Sequence, residues 1–224
     1  MVFNKNLVWS EMNPEIKYEM FVDKRDSQVY RSVKIGEQTW MAENLNFEYT
    51  EGQGSFCYQN KEEYCDQYGR FYLWSSAVDS VAVFDDAAKG CGFAVDSTEC
   101  GISDSVRVRG VCPEGWHLPS MTEWFELVDF VKKDTGYQKG QINNDLLSKK
   151  HGGKDLYGFG ILLGGMRIGE NSLYLDGYTT IHTTFNSKDE YRTLGVNSPG
   201  IGEEIDFGDQ EKQNAFAYVR CIKD

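Results

Sequence analysis

Six cysteines constrain this chain more than any other feature: Cys57, Cys65, Cys91, Cys100, Cys112 and Cys221. An even count with two short-range pairs reads as disulfides formed in an oxidising compartment. A zinc site would set close cysteines a few residues apart. Here seven and eight residues separate the close pairs, and no histidine lies near them. Free thiols are the remaining alternative. Several connectivities are open to six cysteines, and proximity favours Cys57–Cys65 and Cys91–Cys100, because short loops close at the least entropic cost. Cys112 and Cys221 then pair across a long span and tie the C-terminus to the middle of the chain. Closing a loop of roughly 100 residues contributes on the order of 4 kcal/mol.

The 224 residues suit one domain, read as an N-terminal arm over 1–24 and a single unit over 25–224. Hydrophobic residues at 40% and aromatics at 14% are enough for a packed core, which excludes bulk disorder. The 35 acidic residues outnumber the 23 basic ones and give a net charge of -12. Such a surface repels phosphate backbones and anionic lipid, so nucleic acid is not an expected partner. No apolar run is long enough to span a bilayer. Residues 1–24 lack the charged start and apolar block of a signal peptide. Met1 is therefore read as following a targeting segment that is absent from this sequence.

Alternation of apolar and polar residues from Val29 to Ile35 predicts a half-buried strand, with Gly36-Glu37 as a turn and Gln38 to Met41 as its hairpin partner. Residues 48–70 read as loop. Trp74, Ala77, Val78, Val81 and Phe84 recur at helical spacing and predict a helix from Leu73 to Lys89, stopped by Gly90. A second helix follows Pro119. Ser120 and Glu123 form a capping-box pattern, Met121, Trp124, Val128 and Val131 share a face, and Gly136 offers the stop. A shorter helix is expected over Asn144 to Lys150. Beyond residue 155, short strands are expected at Leu156–Leu163, Met166–Ile168, Ser172–Leu175, Tyr178–Phe185, Tyr191–Val196 and Ala215–Ile222. The acidic, glycine-containing stretch 197–213 reads as an exposed loop.

Four segments carry a family resemblance: Tyr30–Leu45 (YRSVKIGEQTWMAENL), Tyr68–Trp74 (YGRFYLW), Gly110–Trp124 (GVCPEGWHLPSMTEW) and Val219–Asp224 (VRCIKD). In order and spacing the chain is similar to the Fibrobacter succinogenes major paralogous domain over residues 25–224. This implies a secreted or cell-surface, outer-membrane-associated protein. The Trp-His-Leu-Pro-Ser-x-x-Glu-Trp stretch also resembles the RLPTEAEWE-type segment of formylglycine-generating enzymes, whose fold is akin to that of C-type lectins. The two resemblances imply an α+β, C-type-lectin-like domain: two main helices packed on mixed antiparallel sheets, long loops, and disulfide staples. A cysteine before the second helix bonded to one on the last strand would fit that fold. Sugar-binding C-type lectins carry Glu-Pro-Asn or Gln-Pro-Asp with Trp-Asn-Asp as calcium and sugar ligands, and this sequence has neither. Fold alone does not assign function.

The expected ligand contacts lie in the Gly- and Thr-rich half: Arg167, Tyr174, Asp176, Tyr178, His182, Tyr191 and Asn197, with Tyr157 beside them. Tyr and Arg on loops are good interface residues, and flat rings suit sugar faces. Glu203, Glu204, Asp206 and Asp209 form an acidic group that could partly satisfy calcium, the one cofactor considered. His117 lacks a local partner for catalysis, and His151 lies in a His-Gly-Gly-Lys loop. Formylglycine-type oxidases use a close cysteine pair near the C-terminal end, where Cys221 stands alone. With no assembled catalytic motif, the sequence favours an exported, non-catalytic binding or adhesion module for carbohydrate or a surface protein. The alternatives are a structural envelope interaction protein, a divergent formylglycine-type oxidase, or a glycan hydrolase.

Overall fold

The computed structural model describes residues 12–92, 99, 101–103, 105–136, 141–186, 190–199 and 205–224. Strand β1 (Glu19–Val22) leads into β2 (Val29–Ile35) and β3 (Gln38–Met41). The alternating pattern thus forms the expected hairpin, with Gly36 in the left-handed region at φ 61°. A Cβ on Gly36 would meet the Phe130 ring at 2.9 Å, so both the turn and the packing exclude a side chain there. The expected arm is partly integral: β1 pairs with β2, and Asn13 Nδ2 donates to the Asp155 carbonyl at 2.8 Å.

Residues 48–70, expected as loop, hold strand β4 (Ser55–Phe56) and helix α1 (Glu62–Tyr68). Strand β5 (Phe71–Leu73) then runs into helix α2 (Trp74–Ala77), a single turn where a long helix was expected. The reason is Asp79. Its carboxylate accepts hydrogen bonds from the Val83 and Phe84 amides at 3.0 and 2.6 Å and from the Tyr49 hydroxyl at 2.7 Å. Those side-chain bonds replace the helical ladder, and Asp79 and Ala82 take positive φ angles of 59° and 58°.

Strand β6 (Trp116–His117) precedes the main helix, α3 (Met121–Thr135). Here the sequence signals hold in full. Ser120 and Glu123 form the reciprocal cap, and Gly136 closes the other end in the left-handed region. The apolar face buries Met121, Trp124, Leu127, Val128 and Val131, with the Trp124 ring tilted against Trp40 at 4.6 Å between centres. The next helix, α4 (Gln141–Leu146), starts before the expected Asn144 and ends before Lys150. Residues 156–163, expected as a strand, contribute only the bridge Ile161↔Leu147.

Strands β7 (Met166–Ile168), β8 (Asn171–Leu173), β9 (Tyr178–Asn186), β10 (Glu190–Asn197), β11 (Asp206–Glu211), β12 (Ala215–Tyr218) and β13 (Ile222–Lys223) complete the chain. Two expectations change here: 197–213 contains β11, and Ala215–Ile222 is split between two strands. One sheet has five strands in the order β1-β2-β3-β13-β6, and the other has eight, with β11-β10-β9-β12-β5-β4 as its path and β7 and β8 branching from β12. The β12–β9 pair is parallel and the remaining pairs are antiparallel. The architecture is α+β, with one long helix rather than two.

Two apolar clusters fill it. One centres on Trp40, Trp124, Phe159 and Tyr218, and the other on Tyr30, Trp74, Trp116 and the Cys112–Cys221 bridge. The Cys57–Cys65 and Cys112–Cys221 disulfides form as expected, across 8 and 109 residues of sequence. Cys91 is also disulfide-bonded, and its expected partner, Cys100, lies outside the described residues. Among the described residues, no helix is long and apolar enough to cross a membrane.

Candidate functional site

Four of the expected contact residues meet at one end of the eight-stranded sheet. The turn from β8 to β9 closes with the Gly177 and Tyr178 amides donating to the Tyr174 carbonyl, both at 3.0 Å. Tyr174 and Asp176 hold positive φ angles of 60° and 59°, which push both side chains outward from a tight turn. Tyr174 is 63% exposed. Asn197 ends β10 directly opposite Tyr178, and the Ser198 amide donates to the Gly177 carbonyl. Tyr178 is half-buried across Gly195, where an added Cβ would lie 2.5 Å from its hydroxyl. Burial and the nearby Asp206 carboxylate raise its pKa.

The sequence did not place Tyr68, Lys150 and His151 beside this turn. The Tyr68 hydroxyl donates to Asp176 Oδ1 at 3.2 Å, and the Lys150 ammonium lies 5.4 Å from the Tyr68 ring centre. His151 Nδ1 is 3.9 Å from the same Asp176 oxygen. A signal existed, because the His-Gly-Gly-Lys loop stood out, but nothing in the sequence indicated what it faces. The result is an exposed Asp176 carboxylate held by the Tyr68 hydroxyl and flanked by the buried His151 imidazole, two positions from the exposed Tyr174 ring.

The other three expected contacts face inward, which corrects their assignment as ligand residues. Arg167 is buried: its Nη1 donates to Asn60 at 2.7 Å and its Nε to the Gly169 carbonyl at 2.9 Å, with Phe56 and Phe216 beneath the guanidinium. Tyr191 donates its hydroxyl to the Ala215 carbonyl at 2.8 Å. His182 is fully buried, donates Nε2–H to the Tyr72 carbonyl at 2.8 Å, and stacks near Tyr191. Burial pushes its pKa down to about 4, against the opposing pull of the Tyr72 bond. Tyr157 donates to Asp134 at 2.7 Å.

Of the acidic group, the described residues are Asp206 and Asp209, and they lie on a strand rather than a loop. Asp206 and Asp209 stand three residues apart on β11, so their side chains leave opposite faces. Asp209 pairs with Arg192 at 2.9 Å. Glu203 and Glu204 lie outside the described residues. Cys57, Glu62 and Cys65 also converge, but both sulfurs are in a disulfide. The Cys221 sulfur is likewise bonded to Cys112, so it offers no thiolate.

His117 has partners the sequence did not reveal: Nδ1 lies 2.7 Å from Asp224 and Nε2 2.8 Å from Glu123. Burial acts to raise the Glu123 pKa, but hydrogen bonds from His117 and Ser120 bring it below the ordinary value. The imidazole thus clamps the C-terminal residue to the cap of α3, an internal role.

Among known proteins, the family described as Fibrobacter succinogenes major domain matches residues 33–223. No curated protein and no solved structure matches.

Proposed function

The chain belongs to the Fibrobacter succinogenes major domain family, and from that premise we propose that it is an exported, non-catalytic cell-surface module that binds carbohydrate. The observation that carries this reading is the exposed Tyr174 ring on a constrained turn, two positions from the exposed Asp176 carboxylate. A flat ring stacks on the apolar face of a pyranose, and a neighbouring carboxylate accepts hydrogen bonds from its hydroxyls. The turn geometry preorganises these groups, so little conformational freedom is lost on binding. Export is supported by the disulfides, which persist in oxidising compartments. Two sheets, one capped helix, and a bridge from the segment before that helix to the last strands support reading the fold as C-type-lectin-like. Non-catalytic action is supported by His117 and His182, both aimed at protein partners.

The test is a pull-down on insoluble plant polysaccharides alongside a glycan array, with Tyr174→Ala and Asp176→Ala beside the native chain. We expect saturable binding that Tyr174→Ala weakens about tenfold, or about 1.4 kcal/mol, at unchanged melting temperature. Binding should survive a chelator, because Asp206 and Asp209 do not converge. Full binding by both variants would remove this site. Silence on every glycan, with capture of a surface protein instead, would overturn the carbohydrate reading.

A further inference from the structure

At the opposite end of the same sheet the chain encloses a cleft of about 550 Å³, within the range of small-molecule sites. Four segments far apart in sequence line it: the loop before β4, the end of β5 with helix α2 and the turn that follows, Gly92, and the turn between β11 and β12. They contribute the hydroxyls of Ser75, Ser76 and Ser80 and the amides of Gln53, Gln213 and Asn214. Ser76 is only 2% exposed, and its Oγ has no hydrogen-bond partner among the described residues. A buried hydroxyl without a partner is unfavourable by itself, and a ligand in the cleft would satisfy it.

The charges at this end are already engaged by the protein. Lys212 is buried, donates to the Gly92 carbonyl at 3.1 Å, and lies 4.9 Å from the Trp74 ring centre. Asp79, fully buried behind the wall, accepts from Tyr49, Val83 and Phe84. Apart from Lys212, whose ammonium is bonded to the Gly92 carbonyl, the polar side chains lining the cleft are neutral, and most both donate and accept. A charged ligand would shed water there and meet no charge that the protein has not already engaged, which is unfavourable. A neutral polyol exchanges its water for matched hydrogen bonds. We infer that this cleft is a second binding site, distinct from the Tyr174 turn, for a small uncharged hydroxyl-rich molecule of mono- to disaccharide size.

The probes are xylose, cellobiose and glucuronate, titrated into isotope-labelled full chain and followed by backbone amide shifts. The inference expects the two neutral sugars to move Ser75–Ser80 and Lys212–Asn214, and glucuronate to bind more weakly. Ser76→Ala should weaken the neutral sugars by roughly five- to tenfold. Its melting temperature should stay level or rise, because the substitution removes a hydroxyl with no internal partner. Gln213→Ala, on an exposed turn, gives a second variant whose folding is not in question and should also weaken binding. Tyr174→Ala should leave these shifts intact, which separates this site from the proposed glycan surface. No shift at the cleft with either neutral sugar, a preference for glucuronate, or full affinity in both Ser76→Ala and Gln213→Ala would overturn the inference.

Discussion

Where β9 begins, Tyr174 and Asp176 stand in solvent on a four-residue turn; where β10 begins and β11 ends, Ser76 and Lys212 line a cleft whose walls are fixed from behind. The first surface is local. Most of its residues lie within a few positions of one another, and Asn197, Tyr68, Lys150 and His151 come from elsewhere. The second is assembled from four distant segments, and a fully buried carboxylate holds its shape. An exposed turn can be altered with little consequence for folding. A wall built on Asp79 cannot, because removing that group leaves the buried Tyr49 hydroxyl and two part-buried amides unpaired at once. The same sheet thus carries one tolerant surface and one that depends on the fold.

The largest effect should come from breaking the dependent end. Asp79→Ala is expected to lower stability by about 4 kcal/mol, seen as a shifted urea midpoint, and to abolish shifts at the cleft. A loss no larger than that of Asp176→Ala would mean that the two ends do not differ in this way.

Next comes the middle of β9, where His182 lies between them. It binds its proton near pH 4 in the folded chain and near 6.5 when unfolded. Between those values the unfolded state holds more protons, so stability falls as pH falls through this window, by about 3 kcal/mol in full. Glu123 acts in the same direction but only below its unfolded value of 4.5. Urea melts at pH 7 and pH 5 should therefore show a decrement in the native chain that His182→Gln lacks. Parallel pH curves for the two would exclude His182 as the cause. If the decrement also appears in probes at both ends, the sheet melts as one unit.

The smallest of the three effects sharpens the picture of the turn. Arg167 packs the β7–β8 hairpin that leads into Tyr174, against Asn60, Phe56 and Phe216. Arg167→Ala should reduce stability by about 2 kcal/mol, read by calorimetry, and should affect glycan binding only through loosening the turn. Lost binding with unchanged melting would return Arg167 to the ligand surface.

What was legible in the sequence follows the reach of each signal. The hairpin of β2 and β3 and the cap of α3 are written within a few residues, so Ser120, Glu123 and Gly136 sufficed. Proximity was enough for Cys57–Cys65. The helix expected over Leu73–Lys89 failed because apolar spacing ignores what a single buried Asp79 does to the amides after it; Val81, assigned to the buried face, is 51% exposed. The acidic composition of 197–213 concealed β11, an edge strand that tolerates charge because one of its sides meets solvent. Tyr174 and Asp176 were singled out in the sequence, but their neighbours in space, Tyr68 and His151, were not placed beside them. The cleft left no mark at all, because serines and amides at scattered positions carry no period or motif.

The Cys112–Cys221 bridge has a mechanical consequence. It bypasses the chain between two cysteines 109 positions apart, so tension applied along the backbone crosses from Cys112 to Cys221 and leaves that loop unstretched. The Tyr174 turn and α3 lie inside the shielded loop. The cleft straddles its boundary, with Gln53 and Ser76 on the tensioned side and Gln213 on the protected one. Pulling on such a molecule would part the walls of the cleft, while the Tyr174 turn kept its own shape and lost only the Tyr68 contact from the tensioned side.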